Sequence, residues 1–327
     1  MLSLEELKGK CKGLDLVTIT PFMENGEINY EGYRENLRFL KDKLEGKDVL
    51  ITPTGSCGEF PLLNEEEHKK MIKVTVEEID GMFPVIAGTG QEGTKVAIEI
   101  SKYAQEVGAD GLQIIHPYYF VPTEEGMYQH FKEIAESVSI GIVIYNNPAF
   151  SKSWINPNLM LKLSKIENII GVKENTPHLM HYDNMVSTLN KESDMKVFCG
   201  MGEKWYSYHW LCGVIGVVSS FANFAPEITY ELYEAAENKD VEKILSIKNR
   251  LSPWFSFIGK MRKKYGPDTG ALVKPGGVIY GEGNMRFGIV KDAMNILGLN
   301  GGDVRLPLIK ISKEDKEELK NVLKEIG

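Results

Sequence analysis

Lys173 is well placed for covalent chemistry, because it directly follows the apolar run Ile169–Val172. A lysine that ends a buried strand points toward the interior or the mouth of an α/β fold, where burial disfavours its charged form. A neutral amine can attack a carbonyl carbon and form a Schiff base. The alternative is a lysine whose head group reaches solvent or pairs with Glu174.

The segment Gly55–Glu59 could bind an anion, because two glycines flank the small side chains of Ser56 and Cys57 in a tight turn. Exposed N–H groups in such a turn form a nest for a carboxylate, and Ser56 can also pass a proton. The alternative is an ordinary glycine-rich loop. No histidine lies beside Cys57 in sequence, which favours a plain small side chain over a nucleophile.

Tyr145 opens a third segment, Tyr145–Pro148, at the end of another apolar run. A tyrosine at a strand end can act as a positioned acid or base, and the alternative is a packing aromatic. The segment His116–Phe120 holds further aromatic residues, which in a loop indicate an interface more often than a catalyst. The six histidines lack the spacing of metal ligands, so we expect neither a metal nor another cofactor.

Eight strand–helix repeats precede residue 241, and they predict a closed (β/α)₈ barrel, the TIM barrel of the α/β class. They occupy about 240 residues, the usual size of such a barrel. A doubly wound open sheet is the competing architecture, but no dinucleotide-binding fingerprint follows the first strand. The predicted strands are Leu14–Thr20, Val49–Thr52, Pro84–Ala87, Gly111–Ile115, Gly141–Tyr145, Ile169–Lys173, Lys196–Cys199 and Gly216–Ser219. Active sites of these barrels lie at the C-terminal strand ends, so the three segments should meet there.

The chain from residue 241 onward is predicted to be a C-terminal helical extension that packs on the barrel. The predicted division is a barrel over 1–240 and a helical region over 241–327. The helices predicted in this region are Arg250–Lys264, Asn284–Leu297 and Lys313–Ile326. Within the barrel, Asn64 and Glu67 have the spacing of a capping box and predict the start of a helix.

The overall composition is that of a soluble globular protein, with 43% hydrophobic and 26% charged residues. The formal net charge is −8 and no basic block occurs, which argues against nucleic acid or an anionic membrane as a partner. The four cysteines lack zinc-site or redox spacing, and the N-terminus lacks the apolar stretch of a signal peptide. We therefore expect a cytoplasmic protein with reduced thiols.

The motifs GSCGE, PYY, YNNP and GVKE, in this order and at these spacings, resemble those of the dihydrodipicolinate synthase / N-acetylneuraminate lyase family. The resemblance extends from Leu14 to about Leu306 and includes the segment Lys291–Leu299. It implies a (β/α)₈ lyase that forms a Schiff base with pyruvate or another 2-oxo acid and needs no cofactor. It also implies a homodimer or a homotetramer.

The resemblance further implies individual roles for residues of this sequence. Lys173 would form the Schiff base, and Tyr145 would move protons during the reaction. Ser56 would relay protons to that tyrosine, and Tyr119 would reach the site of a neighbouring subunit. The residues implied in substrate binding are Cys57, Gly58, Asn175, Glu203, Val218 and Ser220.

Three positions depart from the residues usual in the family. Cys57 replaces a threonine, and Gly202 replaces an aspartate that binds sugar hydroxyls in sialic acid lyases. Phe150 replaces the arginine that holds the second carboxylate of the substrate in dihydrodipicolinate synthases. These departures favour an aldolase or hydro-lyase for a hydroxylated 2-oxo acid, such as a 2-keto-3-deoxy sugar acid. The alternatives are a dihydrodipicolinate synthase, which condenses pyruvate with aspartate semialdehyde, and a barrel that binds a 2-oxo acid without catalysis.

Overall fold

Eight parallel strands form the centre of the protein in a computed structural model that describes residues 1–265, 272–273, 279–280 and 285–327. They are hydrogen-bonded in the order β2-β1-β8-β7-β6-β5-β4-β3, and a bridge between Ile51 and Val85 joins the two ends of this order. The prediction of a (β/α)₈ barrel is therefore confirmed. The strands are β1 Gly13–Val17, β2 Val49–Thr52, β3 Ile86–Gly88, β4 Gly111–Ile115, β5 Gly141–Asn146, β6 Ile169–Glu174, β7 Lys196–Cys199 and β8 Gly216–Ser219.

Helices alternate with these strands and continue beyond the last of them. The strands are buried almost without exception, as expected when helices cover the outer face of a closed sheet. The helices are α1 Leu4–Lys10, α2 Tyr30–Leu44, α3 Glu65–Ile79, α4 Thr94–Glu106, α5 Glu124–Ser137, α6 Pro148–Ser151, α7 Pro157–Leu163, α8 Leu179–Glu192, α9 Glu203–His209, α10 Pro226–Glu237, α11 Val241–Arg250, α12 Ser252–Tyr265, α13 Met285–Ile296 and α14 Lys313–Ile326. Two short antiparallel strands, β9 Leu272–Val273 and β10 Ile279–Tyr280, lie between α12 and α13.

The predicted capping box starts α3. The Asn64 side chain accepts a hydrogen bond from the N–H of Glu67 at 2.9 Å, and the Glu67 carboxylate accepts one from the N–H of Asn64 at 3.0 Å. Each bond satisfies a donor that the first turn of a helix leaves free. The opposite end of α3 is closed by Asp80 in the left-handed conformation.

The first strand ends three residues earlier than the sequence predicted. Strand β1 ends at Val17 because side chains then replace the neighbouring strands as hydrogen-bond partners. The N–H of Ile19, for example, donates to Asn223 Oδ1 at 3.2 Å. The Thr20 hydroxyl then donates to the carbonyl of Gly58 at 2.7 Å. The loop after β1 therefore supports the glycine-rich loop after β2.

The predicted helix Arg250–Lys264 begins two residues too early, because Arg250 ends α11 and α12 starts at Ser252. Pro253 explains the break, since a proline has no N–H to donate and is tolerated only in the first turn of a helix. The structure thus contains a separate helix, α11, that the prediction did not resolve. The division of the chain at residue 240 stays a prediction.

The segment from α13 to Arg305 packs against the loop that follows β2. Lys291 on α13 forms an ion pair with Glu59, and both side chains are buried. Lys291 also donates to the carbonyl of Asp303 at 2.6 Å, and burial lowers the pKa of its ammonium group to about 8. The N–H of Arg305 donates to the Glu59 carboxylate at 3.2 Å, and its guanidinium donates to the Leu62 carbonyl at 2.7 Å. The C-terminal chain thereby fixes the loop over the barrel.

No helix among the described residues is long and apolar enough to cross a bilayer. Within the same residues, no group of three or more His, Cys, Asp or Glu side chains is arranged to hold a metal ion.

The buried ion pair leads to a stability prediction. Replacing Lys291 by Met removes the cation and leaves the carboxylate of Glu59 buried without its partner. We expect the free energy of unfolding, measured by urea titration, to fall by about 3 to 5 kcal/mol. The double variant Glu59→Gln/Lys291→Met should recover much of this loss.

The matched control is Lys310→Met, because Lys310 is half exposed and pairs with Asp303 at the surface. This control should change the free energy of unfolding by less than about 1 kcal/mol. Equal stability of Lys291→Met and wild type would show that the pair does not hold the loop.

Candidate active site

Lys173 and Tyr145 lie side by side on neighbouring strands. The parallel register of β5 and β6 pairs the two residues, so their side chains point to the same face of the sheet. The Lys173 ammonium nitrogen lies 4.0 Å from the centre of the Tyr145 ring. Both side chains are buried, each only 4% exposed. An amine and a phenol therefore share a site from which water is largely excluded.

Glu174 does not pair with Lys173, although the sequence left that alternative open. Adjacent strand residues face opposite sides of the sheet. The Glu174 carboxylate instead accepts hydrogen bonds from Asn146 Nδ2 and from the N–H of Thr176, both at 2.8 Å. Complete burial raises the pKa of this carboxyl group to about 7, and the hydrogen bonds only partly offset that rise.

Asp15 is a buried acid inside the barrel that the sequence analysis missed. It lies on β1, and the Thr52 hydroxyl donates to its carboxylate at 2.5 Å. Burial raises the pKa of Asp15, and the positive charge of Lys173 acts in the opposite direction. A single charged residue in the apolar run Leu14–Val17 was the available signal.

The hydroxyl of Tyr145 is held by Asn147 and not by Ser56. Asn147 Nδ2 donates to the phenol oxygen at 2.7 Å, while its Oδ1 accepts from the N–H of Ala149 at the start of α6. The N–H of Asn147 in turn donates to His116 Nε2 at 3.3 Å. Burial lowers the pKa of His116 to about 3, so this imidazole is neutral at physiological pH and can accept. Asn147 and His116 thus orient the phenol.

The loop after β2 begins with a 3₁₀ turn at Ser56–Gly58, and a second one follows at Phe60–Leu62. The N–H of Gly58 donates to the carbonyl of Gly55 at 3.0 Å, and the N–H of Glu59 donates to that of Ser56 at 3.1 Å. Those two N–H groups are therefore used within the first turn. Among the described residues, the N–H groups of Ser56 and Cys57 have no such partner and can receive an anion.

A close approach in this loop favours glycine at position 58. A Cβ atom there would lie 3.1 Å from the carbonyl oxygen of Thr18. Gly58 is thus important for the shape of the turn, whereas its own N–H is already bonded.

Asn175 presents a free acceptor beside Lys173. Its Nδ2 donates to the carbonyl of Gly200 at 2.9 Å, whereas its buried Oδ1 accepts no hydrogen bond from the described residues. A Cβ atom on Gly200 would lie 1.7 Å from that oxygen and 2.8 Å from Cγ of Lys173. The sequence analysis missed Gly200, which must be glycine to leave this space.

The other residues predicted to bind substrate differ in how free their polar groups are. The Glu203 carboxylate is buried and accepts from the hydroxyls of Ser219 and Thr229, the latter at 3.0 Å. Val218 is buried and pairs in register with Asp15, and Ser220 is partly exposed. Glu203 is therefore engaged by the protein, in contrast to Asn175 Oδ1.

A cavity of about 220 Å³ adjoins Tyr145 at the mouth of the barrel. Its lining residues are Ser56, Glu59, Phe60, Pro61, Leu62, Ile115, Tyr118, Phe150, Phe287, Pro307 and Leu308. Apolar side chains dominate this lining, and the lining residues that the structure describes include no lysine or arginine. Phe150 contributes to the wall, while the nearby ammonium group of Lys152 donates to the carbonyl of Tyr119 at 3.4 Å.

Tyr119 lies in an exposed loop outside this cavity, and its side chain is 69% exposed. Glu92, which the sequence analysis missed, fixes the loop because its carboxylate accepts from three successive N–H groups. These are the N–H groups of Tyr118, Tyr119 and Phe120, at 2.7 to 2.8 Å. The loop thus presents Tyr119 and Phe120 to the outside in a fixed conformation.

Similarity to known proteins now identifies the family. The model of the dihydrodipicolinate synthetase family matches residues 10–265. This chain belongs to that family. A 4-hydroxy-tetrahydrodipicolinate synthase of Methanocaldococcus jannaschii is 36% identical over 317 residues, which cover 97% of this chain and 99% of that protein. A protein of the same name from Thermotoga sp. (strain RQ2) is 33% identical over 319 residues, with coverage of 97% and 99%.

A solved structure has the same fold over nearly its whole length. The crystal structure of dihydrodipicolinate synthase from Thermotoga maritima superposes with a TM-score of 0.81 at 31% identity, covering 96% of this chain and 98% of that chain. The resemblance read from the motifs is thereby confirmed, and the protein is a Schiff-base lyase of the dihydrodipicolinate synthetase family. The names of these relatives favour the alternative reaction considered from the sequence over the sugar-acid reaction.

The shifted carboxyl group of Glu174 leads to a prediction about pH. Its folded-state pKa of about 7 lies above the ordinary 4.5, so between these values the folded protein keeps a proton that the unfolded chain has lost. The free energy of unfolding of wild type should therefore fall as the pH rises through this window, by about 1.4 kcal/mol per pH unit. Glu174→Gln stays neutral and should gain stability relative to wild type between pH 4.5 and pH 8, by roughly 3 kcal/mol.

The measurement is urea unfolding of both proteins at several pH values in this range. If the free energies of unfolding of wild type and Glu174→Gln differ by the same amount at every pH, the raised pKa of Glu174 is contradicted.

Proposed function

We propose that this protein joins pyruvate to an aldehyde, or cleaves the product, through a Schiff base on Lys173. The Lys173 amine attacks the keto carbon of pyruvate, and loss of water gives the imine. Loss of a proton from the methyl carbon gives an enamine, which adds to the aldehyde carbon. Hydrolysis of the imine releases a 4-hydroxy-2-oxo acid and restores the amine. The observation that carries the proposal is the buried contact between Lys173 and Tyr145.

Tyr145 would move the protons that this sequence of steps requires. Asn147 Nδ2 donates to the phenol oxygen, which orients the hydroxyl and leaves the phenol hydrogen free to point elsewhere. The phenol can therefore give a proton to the leaving water or to the developing alkoxide, and take it back later. A relay through Ser56 remains part of the proposal, because its side chain lines the adjoining cavity.

The carboxylate of pyruvate would lie on the N–H groups of Ser56 and Cys57. They are the donors that the 3₁₀ turn leaves without a partner among the described residues. The hydroxyl created at carbon 4 could donate to Asn175 Oδ1, a buried oxygen beside Lys173 that lacks a partner in the same residues. A hydroxylated 2-oxo acid thus finds an acceptor at the required position.

A second candidate is the 4-hydroxy-tetrahydrodipicolinate synthase reaction, and the names of the curated relatives favour it. In that reaction the aldehyde partner is aspartate semialdehyde, which has a carboxylate remote from the aldehyde. Phe150 has no donor for that carboxylate, and the ammonium group of Lys152 is bonded to the carbonyl of Tyr119. The site therefore supports the aldolase reaction better than this condensation.

Assembly and location are part of the same proposal. We propose a homodimer or homotetramer in the cytoplasm, with Tyr119 at a subunit boundary. The exposed aromatic rings of Tyr119 and Phe120, held by Glu92, support such a boundary.

The Schiff base leads to a direct prediction. Incubation with pyruvate and borohydride should add the reduced pyruvate to Lys173 and to no other lysine, as measured by intact mass and peptide mapping. Lys173→Arg, which keeps the positive charge but removes the nucleophilic amine, is the matched control and should show no adduct. An adduct at another lysine, or none in wild type, would refute the mechanism.

The proposed role of Tyr145 leads to a kinetic prediction. Tyr145→Phe keeps the ring but removes the proton carrier, so kcat should fall by about 10²- to 10⁴-fold while pyruvate binding changes little. Tyr128→Phe, on α5, is the matched control and should leave both quantities near their wild-type values. Near-normal turnover of Tyr145→Phe would make this tyrosine a packing residue only.

A further inference from the structure

The cavity lies next to the apolar cluster that contains Tyr145. Phe60, Ile115 and Tyr145 form this small buried cluster, and Tyr118 and Phe150 pack against it. Four of these five residues also line the cavity, whereas Tyr145 itself does not. We take the cavity as the space for a group attached to the carbon that reacts on the other side of this cluster.

Residues distant in sequence also line the cavity. Pro61 and Leu62 come from the loop after β2, and Phe287, Pro307 and Leu308 come from the C-terminal chain. The volume of about 220 Å³ exceeds the roughly 150 Å³ of an engineered protein cavity that binds benzene. The space therefore holds a group of the size of a phenyl ring or a branched alkyl chain.

Three cations of the described residues lie close to this cavity, and each of them is engaged elsewhere. Lys291 is paired with Glu59, and Lys152 donates to the carbonyl of Tyr119. The guanidinium of Arg305 donates to Glu67 at 2.6 and 2.8 Å. A substrate carboxylate would have to break one of these contacts or lose its hydration without compensation.

The charged residue in the described lining does not attract an anion either. Glu59 belongs to the wall, and its charge is compensated by the ion pair with Lys291, so this pair offers no net positive charge to a carboxylate. A sugar chain is also a poor match, because a wall made mostly of phenyl, alkyl and prolyl groups offers few hydrogen-bond partners for several hydroxyls. The chemistry of the wall is suited to an apolar group.

We infer that the aldehyde partner of pyruvate carries an uncharged apolar substituent, aromatic or branched aliphatic, which occupies the cavity lined by Phe60, Ile115 and Phe150. This inference rests on the proposed Schiff-base function of Lys173. The enamine carbon of the bound pyruvate bonds to the aldehyde carbon, the aldehyde oxygen takes a proton from Tyr145, and water releases the 4-hydroxy-2-oxo acid. Cleavage runs the same steps backwards and releases the apolar aldehyde.

The test uses two aldehydes of nearly the same shape, one of which is uncharged and the other an anion. In 4-methylpentanal an isopropyl group stands where succinic semialdehyde has its carboxylate. Formation of the 4-hydroxy-2-oxo acid from pyruvate and each aldehyde is measured by liquid chromatography and mass spectrometry. We expect kcat/KM for 4-methylpentanal to exceed that for succinic semialdehyde by roughly tenfold or more. Benzaldehyde, glyceraldehyde and aspartate semialdehyde extend the comparison, and benzaldehyde should give product.

Variants of Phe150 test whether this part of the cavity wall produces the preference for the uncharged aldehyde. Phe150→Arg places a guanidinium in the cavity and should reduce or reverse the ratio of the two kcat/KM values. Phe150→Leu keeps the wall apolar and should preserve the direction of the preference. Trapping of the pyruvate adduct with borohydride in each variant verifies that the fold and the reactive lysine are intact.

The trapping experiment also separates the two proposals. Without an adduct at Lys173 in wild type, both the proposed function and this inference fail. With the adduct present, a wild-type preference for succinic or aspartate semialdehyde, or no product from either 4-methylpentanal or benzaldehyde, overturns this inference alone.

Discussion

The parallel register between β5 and β6 is the constraint on which the rest of the site depends. It sets Lys173 beside Tyr145 inside a closed barrel, where each side chain is only 4% exposed. A shift of β6 by one residue against β5 would turn Lys173 to the outer face of the sheet and bring Glu174 inward. The burial of both side chains keeps the amine and the phenol in contact and largely away from water. The hydrogen bond from Asn147 to the phenol and the buried acid Asp15 act on a pair whose position the register has already fixed.

The loop after β2 is held in place by the C-terminal chain as well as by Thr20 in the loop after β1. Glu59 follows directly after the 3₁₀ turn that offers its N–H groups to a carboxylate, and Lys291 and Arg305 both contact Glu59. The same C-terminal chain supplies Pro307 and Leu308 to the cavity wall. In the proposed function, binding of the 2-oxo acid and selection of its partner thus depend on residues outside the barrel strands.

Much of this arrangement could be predicted from the sequence, and the limits have physical reasons. Lys173 and Tyr145 each end an apolar run, so the strand order of a barrel brings them to one end. Their contact could not be predicted, since it requires the register between two strands. Phe150 is visible as a departure from the family, but the cavity that it lines combines segments more than a hundred residues apart, such as Phe60 and Phe287. The need for glycine at position 200 could not be predicted, because it comes from one close contact and leaves no repeating pattern in the sequence.

A crystal structure of the protein soaked with pyruvate tests the central claim most directly. The account predicts continuous electron density between Nζ of Lys173 and the former keto carbon. The pyruvate carboxylate should lie within hydrogen-bond distance of the N–H groups of Ser56 and Cys57, and the Tyr145 hydroxyl should face the new bond. Pyruvate bound elsewhere, or lying beside Lys173 with its keto group intact in an active crystal, would contradict the account.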